Sequence, residues 1–259
     1  MIEIDKSLIK KRFSKSISTY NENASIQKLV TERLALLIDS LGINQYHSVL
    51  ELGCGTGMLT EQLLSKFEIK EMTCNDLVGE FITPLKNVVN KYNVNFKFIE
   101  GDLEQTDNYH SNYDLISSAS TLQWILELDA LFEKLNCMLN KNGVFAFATF
   151  GPKNFIEIRE ITNSGLLYTP FEKIKYLIEK RFDLIHISEE ICPIYFDNSI
   201  DILKHIKSTG VNAVIQTTFN KSDFLVFDNK YNDNFRSKKG LRLSYHPIYL
   251  VSKKIASST

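Results

Sequence analysis

The 259-residue sequence predicts a doubly wound α/β fold with a mostly parallel sheet of seven strands. Short apolar segments typical of buried strands alternate with amphipathic helices as far as residue 150. A glycine-rich stretch, LELGCGTG at 50–57, lies between the first such strand and the next helix. Helical segments between the later strands are interpreted as cap insertions at the ligand-binding edge of the sheet.

Composition narrows the functional classes. Hydrophobic residues make up 44% of the chain, enough for a sizeable core, and no tract rich in Gly, Pro or Ser divides it. We therefore expect a single domain over 1–259, with cap insertions at about 154–180 and 198–236. The net charge of −1 favours neither nucleic acid nor an anionic membrane as a partner.

The spacing of the cysteines and the lack of a signal-like segment bear on the cellular compartment of the protein. Cys54, Cys74, Cys137 and Cys192 form no CxxC pair, and no signal-like or membrane-length apolar run occurs. We expect reduced thiols that serve as core residues in a cytoplasmic protein.

The N-terminal region, 1–42, is expected to form a helical lid. A basic segment at 6–15 predicts a small helix, and apolar residues at helical spacing predict a second helix over 23–41. The polar stretch SISTYN between them is interpreted as a flexible joint, and Gly42 as the stop of the second helix.

The remaining elements follow from the same periodicity. Strands are expected at 48–52, 71–75, 96–100, 114–119, 144–150, 182–191 and 241–254. Helices are expected at 58–67, 79–91, 128–139, most of 154–180, 199–210 with Gly210 as its stop, and 221–230.

The three glycines at 53, 55 and 57 raise a question of chemistry, because glycine is costly unless the backbone requires it. A glycine turn lets backbone approach a ligand closely, and the helix that begins near Met58 offers free N–H groups. Dinucleotides and adenosyl sulfonium cofactors both suit such a turn, and the glycines can also serve only to form a tight corner.

Two carboxylates at strand ends favour a nucleoside cofactor. Asp76 ends the second strand, where a carboxylate can accept hydrogen bonds from both hydroxyls of a ribose. Asp102 follows the third strand, where it can accept from an exocyclic adenine amine. Either residue alone is also compatible with a helix cap or a solvated turn.

Taken together, ELGCGTG, Asp76 and the GDL at 101–103 resemble the class I S-adenosylmethionine-dependent methyltransferases over roughly 45–150. Met58 stands where the dinucleotide pattern GxGxxG requires glycine, which favours a methyl donor over NAD. The resemblance implies S-adenosylmethionine as cofactor, S-adenosylhomocysteine as its product, a cofactor-binding core at 43–150, and Glu51 near the methionine end. The cofactor-binding residues that it implies are Tyr20, Gln27, Glu51, Gly53, Cys54, Gly55, Gly57, Asp76, Leu77, Asp102, Leu103 and Ser118.

The stretches RFSKSISTYNENASIQ, LQW, FATFGPKNFIEI and HIKSTGVNA extend the resemblance over nearly the whole chain. They are similar to the malonyl-acyl-carrier-protein O-methyltransferases of biotin synthesis. That family methylates the free carboxyl of a malonyl thioester, so that fatty acid synthesis can extend it into a pimeloyl chain. One departure occurs after the fourth strand, where Ala119 replaces an expected Asn, so a neighbour such as Ser120 must supply that hydrogen bond or it is absent.

This reaction needs few catalytic groups. A malonyl carboxylate is already ionised at neutral pH, so catalysis requires positioning and the exclusion of water, with no general base. The sequence shows no catalytic triad and no metal-ligand spacing, and His47, His110 and His186 are interpreted as structural.

For the acceptor, we expect a pocket lined by Gln123, Trp124, His205 and Lys207, with Tyr20 closing near the methyl group as a positioning residue. Tyr20 is also compatible with surface packing, Trp124 with the core, and Lys207 with a solvated helix face. His205 or Lys207 would supply a cation for the substrate carboxylate.

The expected substrate is malonyl-acyl-carrier protein or malonyl-coenzyme A. Acyl carrier proteins are acidic, and two basic clusters qualify as landing sites, although each is also compatible with solubility alone. The clusters are Lys6, Lys10, Lys11, Arg12 and Lys15, and Arg236, Lys238, Lys239 and Arg242. The alternative functions are a methyltransferase of free small carboxylic acids of the trans-aconitate type, and a cofactor-fold binding protein without catalysis.

Overall fold

The computed structural model describes residues 4–105, 109, 112–209 and 220–255. The chain divides into two compact units that each combine several segments. Unit 1 comprises Met1–Ser25, Phe150–Thr169 and Glu190–Pro247, and unit 2 comprises Ile26–Thr149, Pro170–Glu189 and Ile248–Thr259. The predictions for His110 and Gly210 lie outside the described residues, and a single domain over the whole chain stays a prediction.

Unit 2 contains the predicted seven-stranded sheet, in the order β3-β2-β1-β4-β5-β10-β6. The first five strands along the chain, β1 to β5, pair in parallel with one another in this order. Strand β10 pairs with β6 in antiparallel fashion. This confirms the mostly parallel sheet. The strands are β1 Gln45–Leu52, β2 Glu68–Asp76, β3 Asn95–Glu100, β4 Tyr113–Ala119, β5 Leu139–Phe150, β6 Phe182–Glu189 and β10 Pro247–Lys254.

Helices cover this sheet because each has one apolar face. In the helix over Ser25–Asp39, for example, Ile26, Val30, Leu34 and Ile38 are buried at helical spacing. The helices of unit 2 are α2 Ser25–Asp39, α3 Met58–Lys66, α4 Ile82–Val89, α5 Leu128–Met138 and α7 Phe171–Glu179. Two 3₁₀ turns, Gly79–Phe81 and Leu122–Trp124, follow β2 and β4.

Unit 1 contains strands as well as helices, and its role as a cap stays a prediction. Its described residues form a three-stranded antiparallel sheet in the order β7-β9-β8 together with four helices. The elements are α1 Lys6–Asn23, α6 Ile156–Thr162, β7 Cys192–Phe196, α8 Ser199–Ser208, α9 Lys221–Phe235, β8 Arg236–Ser237 and β9 Gly240–Tyr245.

The prediction of one strand over 241–254 was wrong, because the chain leaves the small sheet at His246. His246 forms three hydrogen bonds with the loop 151–154 and none of them is to a neighbouring strand. Gly151 N–H donates to the His246 carbonyl at 2.8 Å, Lys153 N–H donates to its Nδ1 at 3.0 Å, and His246 N–H donates to Asn154 Oδ1 at 3.2 Å. Pro247 follows without an N–H group, so a continuous ladder is impossible there.

The prediction of a flexible joint at SISTYN, residues 16–21, was also wrong, because α1 is continuous through this stretch. Asp5 caps this helix by accepting from the N–H groups of Ser7 and Leu8. The hydroxyls of Ser16 and Thr19 bond to carbonyls one turn earlier, and Thr19 Oγ1 also lies 3.2 Å from the Ser208 carbonyl of α8. The break falls at Ala24 instead.

Other boundaries differ from prediction in smaller ways. The expected helix over 154–180 is two helices separated by residues 163–170, and α9 continues five residues beyond 230. Strand β7 was not predicted. Among the described residues, no helix combines the length and the apolar character needed to cross a membrane.

Candidate functional site

The three loop glycines have different structural reasons. All have positive φ angles, of 69°, 52° and 92° at Gly53, Gly55 and Gly57. A Cβ at Gly53 would lie 2.1 Å from Thr121 Oγ1, and one at Gly57 would lie 2.9 Å from a methyl of Leu85. At Gly55 the same position faces open space, with no heavy atom within 4 Å. Only Gly55 therefore leaves a free surface for a ligand, while the other two allow protein elements to pack.

Asp76, the predicted ribose ligand, fixes the loop. Its Oδ2 accepts from the N–H of Gly55 at 2.8 Å, and its Oδ1 accepts from the N–H of Val78 at 2.9 Å. Burial raises the pKa of this carboxyl to about 6, although the hydrogen bonds from Val78, Gly55 and Leu77 oppose the increase. Leu77 is half-buried and contributes through its backbone.

Asn75 joins the ends of two strands to the loop, and the sequence analysis missed it. Its side-chain amide nitrogen donates to the carbonyls of Ile99 and Gly101, each at 3.0 Å, and its backbone carbonyl accepts from Cys54 N–H at 2.9 Å. It therefore places Gly101 and Asp102 beside the end of β2. A fully buried polar residue in an apolar strand was the available signal.

Asp102 lies in the turn after β3. Its Oδ1 accepts from the N–H of Glu104 at 3.1 Å, so the carboxylate shapes its own turn. The neighbouring Leu103 is buried in the hydrophobic core of unit 2. Contact between either residue and the cofactor stays a prediction.

Glu51 is buried below the glycine loop at the end of β1. Its side chain is 1% exposed and accepts from Thr60 Oγ1 of α3 at 2.6 Å. Burial raises the pKa of this carboxyl to about 8; the Thr60 hydrogen bond opposes the increase and the charge of Asp76 adds to it. Without a ligand, Glu51 is therefore mostly protonated at neutral pH.

Two cysteines lie beside this carboxyl. Cys54 and Cys74 are buried as free thiols, and burial raises the pKa of both. They are core residues, as predicted, and unreactive as thiolates. The core prediction was wrong for Cys137, which is exposed near the end of α5, and Cys192 is only half-buried.

The end of β4 contains the segment that departs from the family pattern. Ser118 donates its hydroxyl to the Leu52 carbonyl at 2.8 Å and is fully buried. Ser120 has a positive φ of 58°, and its buried Oγ has no hydrogen-bond partner among the described residues. Such an unpaired hydroxyl in a strained conformation indicates a position available to a ligand.

Gln123 and Trp124 follow in the 3₁₀ turn, and both are 8% exposed. Gln123 Nε2 donates to the Ser120 carbonyl at 2.7 Å, and its Oε1 accepts from Thr149 Oγ1 at 3.2 Å. Thr121 of the same segment donates to the Gly53 carbonyl at 3.3 Å. The turn is thus tied to β5 and to the glycine loop, and Gln123 supports the end of β4.

Gln27 of α2 is the remaining predicted cofactor residue in unit 2. Its side chain is 3% exposed, and its Oε1 has no hydrogen-bond partner among the described residues. A buried, unsatisfied amide oxygen costs free energy unless a donor satisfies it. A buried amide oxygen without a partner is expected of a residue that accepts a hydrogen bond from a ligand.

Unit 1 contains the other predicted residues. His205 Nε2 lies 2.8 Å from the Tyr245 hydroxyl, and burial lowers the pKa of His205. Burial therefore favours the neutral form of His205, which disfavours the cation role predicted for it. Lys207 is exposed on α8, and Tyr20 is half-buried in α1 with its ring 6.4 Å from that of Phe13.

Two histidines of unit 2 lie apart from these residues. His186 pairs with Ser188 at 2.9 Å, and His47 is exposed on β1. Within the part of the chain that the structure describes, no cluster of His, Cys, Asp or Glu is suited to hold a metal ion.

Comparison with protein families gives one match in the centre of this site. Residues 49–143 match the model of a family described as "Methyltransferase domain". The matched range includes the glycine loop, Asp76, Asp102 and the end of β4.

Curated proteins are similar over almost the whole chain. The malonyl-acyl-carrier-protein O-methyltransferase of Bacteroides thetaiotaomicron is 33% identical, over 97% of this chain and 99% of that protein. The protein of the same name from Calditerrivibrio nitroreducens is 35% identical, over 95% of this chain and 96% of its own length.

Solved structures show the same fold at low identity. The YcgJ protein of Bacillus subtilis is 14% identical with a TM-score of 0.58, over 85% of this chain and 97% of that one. The N-methyltransferase NodS of Bradyrhizobium japonicum, solved in complex with S-adenosyl-L-homocysteine, is 13% identical with a TM-score of 0.51. The latter match covers 88% of this chain and 86% of that one.

Proposed function

The chain belongs to the malonyl-acyl-carrier-protein O-methyltransferase family, and we propose that it converts the free carboxyl of malonyl-acyl-carrier protein to its methyl ester in biotin synthesis. It is an S-adenosylmethionine-dependent methyltransferase. The observation that carries the substrate assignment is the similarity over 97% of this chain, which includes both units.

The residues of unit 2 fit the cofactor. Gly55 presents open space and Asp76 a carboxylate at the end of β2, while Gln27 and Ser120 carry buried oxygens that lack a partner among the described residues. A ribose has two hydroxyls that donate to a carboxylate, and an amino-acid end has an ammonium group that donates to amide oxygens. Asp76 and Gln27 would hold these two ends.

We propose that the Glu51 carboxylate supplies a counter-charge to the positively charged methionine end of the cofactor. S-adenosylmethionine, when bound, supplies a methyl group on a positively charged sulfur, which is already a strong electrophile. A cation near Glu51 favours the ionised form of that carboxyl, because opposite charges in a buried site interact strongly. The backbone of Gly53, Cys54, Gly55 and Gly57, together with Leu77, Asp102, Leu103 and Ser118, would complete the binding surface.

Methyl transfer to a carboxylate requires no protein base. The nucleophile is ionised at neutral pH, so this chain has to orient the reacting oxygen, exclude water and hold the acceptor. We propose Tyr20 as a positioning residue near the methyl group, and Gln123, Trp124 and Lys207 as contributors to the acceptor pocket. Of the two predicted cations, His205 and Lys207, we propose Lys207, because burial lowers the pKa of His205.

Mass spectrometry of malonyl-carrier protein after incubation with the enzyme and S-adenosylmethionine tests this function. The proposal expects a single added methyl group, which hydrolyses as an ester does. Parallel reactions with malonyl-coenzyme A and with a free tricarboxylate separate the thioester from the free-acid alternative. Methylation of the tricarboxylate but of neither thioester would contradict the proposal.

A further inference from the structure

The two basic clusters of the sequence differ in what the structure does with them. In α1, Lys6, Lys10 and Arg12 are half-buried, and of the five cations only Lys11 and Lys15 are exposed. In the second cluster, Arg236, Lys238, Lys239 and Arg242 are all exposed. The structure therefore distinguishes two sites that the sequence left equivalent.

The second cluster is built on a rigid hairpin. Strands β8 and β9 pair at Arg236 with Leu241 and at Ser237 with Gly240, which leaves Lys238 and Lys239 at the tip. Gly240 has a φ of 113°, and a Cβ there would lie 2.6 Å from the Phe196 carbonyl. The close packing of the turn on β7 thus requires glycine, and it holds the tip in one place.

The two arginines are oriented by groups of unit 1. Arg242 Nε donates to Glu157 at 2.8 Å; Glu157 is fully buried, and the Arg242 side chain is 45% exposed. Arg236 donates from Nε to Asn232 Oδ1 at 2.8 Å and from a terminal nitrogen to the Asp197 carbonyl at 3.2 Å. Guanidinium groups held in this way lose little side-chain entropy when they meet a further acceptor.

An exposed aromatic ring lies among these cations. Tyr195 of the edge strand β7 is the register partner of Arg242, and the Lys239 ammonium lies 5.6 Å from its ring centroid. Tyrosine and arginine are the residues most often found at the centre of protein interfaces. We refer to Tyr195, Arg236, Lys238, Lys239 and Arg242 as the hairpin patch.

The distribution of charge identifies an acidic partner. Unit 1 has fifteen Lys and Arg against eleven Asp and Glu, whereas unit 2 has fifteen against twenty, although the chain as a whole is nearly neutral. The hairpin patch supplies four of the fifteen cations of unit 1. Complementary charge steers encounter and selects the partner.

We infer that the hairpin patch is the docking surface for the acidic carrier protein that presents the malonyl group. This inference rests on the proposed function, because it takes the carrier protein as the natural substrate carrier. The α1 cluster is the competing site.

Binding of unmodified carrier protein to the full chain, followed by fluorescence anisotropy at low ionic strength, tests this inference without any methyl transfer. The Lys238→Glu/Lys239→Glu variant is expected to bind about tenfold more weakly or worse, with a smaller dependence on salt. The matched control, Lys11→Glu/Lys15→Glu, makes the same change in charge at exposed positions of unit 1 and is expected to bind within about twofold of wild type.

Methylation of a malonyl thioester of pantetheine, which has no acidic protein, provides the second readout. Both variants are expected to retain wild-type turnover of this small substrate, which shows that they are folded and active. If the wild-type enzyme methylated neither this thioester nor malonyl-carrier protein, the proposed function would be contradicted, and the binding result could still be interpreted by itself. The docking surface is overturned if the hairpin variant binds carrier protein as wild type does, if the α1 variant loses as much, or if wild type does not bind it.

Discussion

Two buried glutamates, one in each unit, have opposite surroundings. Glu157 of unit 1 is 0% exposed and accepts from the Arg242 guanidinium and from the N–H and hydroxyl of Ser244. Glu51 of unit 2 is 1% exposed and accepts from the neutral hydroxyl of Thr60. The same side chain is therefore paired with a cation in one unit and buried with neutral donors in the other.

The difference distinguishes a structural carboxylate from one that we propose to meet the charge of a ligand. A buried charge is tolerated when the fold supplies its counter-charge and hydrogen bonds, as unit 1 does for Glu157. Burial raises the pKa of Glu51 to about 8, and no cation among the described residues of unit 2 forms an ion pair with it. A cofactor with positive charge would provide it.

Removing the structural carboxylate is expected to have the largest effect. Glu157→Ala deletes the partner of Arg242 and of both Ser244 donors, so we expect the free energy of unfolding to fall by about 3–5 kcal/mol. Urea unfolding measures it. Glu160→Ala, an exposed change in the same helix, is the control and is expected to cost less than about 0.5 kcal/mol. Similar losses for the two variants would show that Glu157 is not a structural tie.

Glu51→Gln is expected to change the free energy of unfolding in the opposite direction from Glu157→Ala. The folded protein keeps the Glu51 proton up to about pH 8, whereas the unfolded chain loses it near its ordinary pKa of 4.5. The folded state binds more protons between these values, so this carboxyl makes the free energy of unfolding fall as pH rises.

Glutamine removes this titration. The free energy of unfolding of Glu51→Gln, relative to wild type, should therefore grow by roughly 2–4 kcal/mol from pH 5 to pH 8. Unfolding curves of both proteins across this range provide the measurement. A constant difference between the two would mean that Glu51 is already ionised in the folded protein at neutral pH.

The smallest expected effect concerns the cofactor. Asp76→Asn weakens the proposed acceptor of the ribose hydroxyls, so the dissociation constant for S-adenosylmethionine should rise about tenfold to a hundredfold, or about 1.5–3 kcal/mol. Calorimetry measures this constant.

Asp114→Asn is a close control, because Asp114 also accepts from two backbone N–H groups, those of His47 and Ser48, at the opposite end of β1. It should bind the cofactor normally. Equal weakening by the two changes would assign the effect of Asp76 to lost backbone support.

The core of unit 2 was predictable because its signals are local. Strand runs and helical periodicity, the glycine turn and the strand-end Asp76 can be recognised within short windows of sequence. Unit 1 was predicted less well: β7 is five residues long and contains Pro193, which suits an edge strand but hides the pattern. The prediction of a joint in α1 was wrong because it relied on the low helix propensity of Ser and Thr. In the structure, the hydroxyls of Ser16 and Thr19 bond to carbonyls within the helix and of α8.

The supporting residues of the site required the structure. Thr121 closes over Gly53 across 68 positions, Asn75 reaches Gly101 across 26, and Glu157 meets Ser244 across 87. No local pattern relates such pairs. The sequence could therefore point to the strand-end carboxylate and the glycine turn, whereas the packing reason for each glycine required the structure.

Proton release on cofactor binding tests the account of Glu51 most directly. Calorimetry at pH 7, in buffers of different ionisation enthalpy, counts the protons released when S-adenosylmethionine binds to wild type and to Glu51→Gln. Because the pKa of Glu51 is raised to about 8 in the ligand-free protein, wild type should release close to one proton more than the variant. Equal proton release by the two proteins would contradict the proposed role of Glu51.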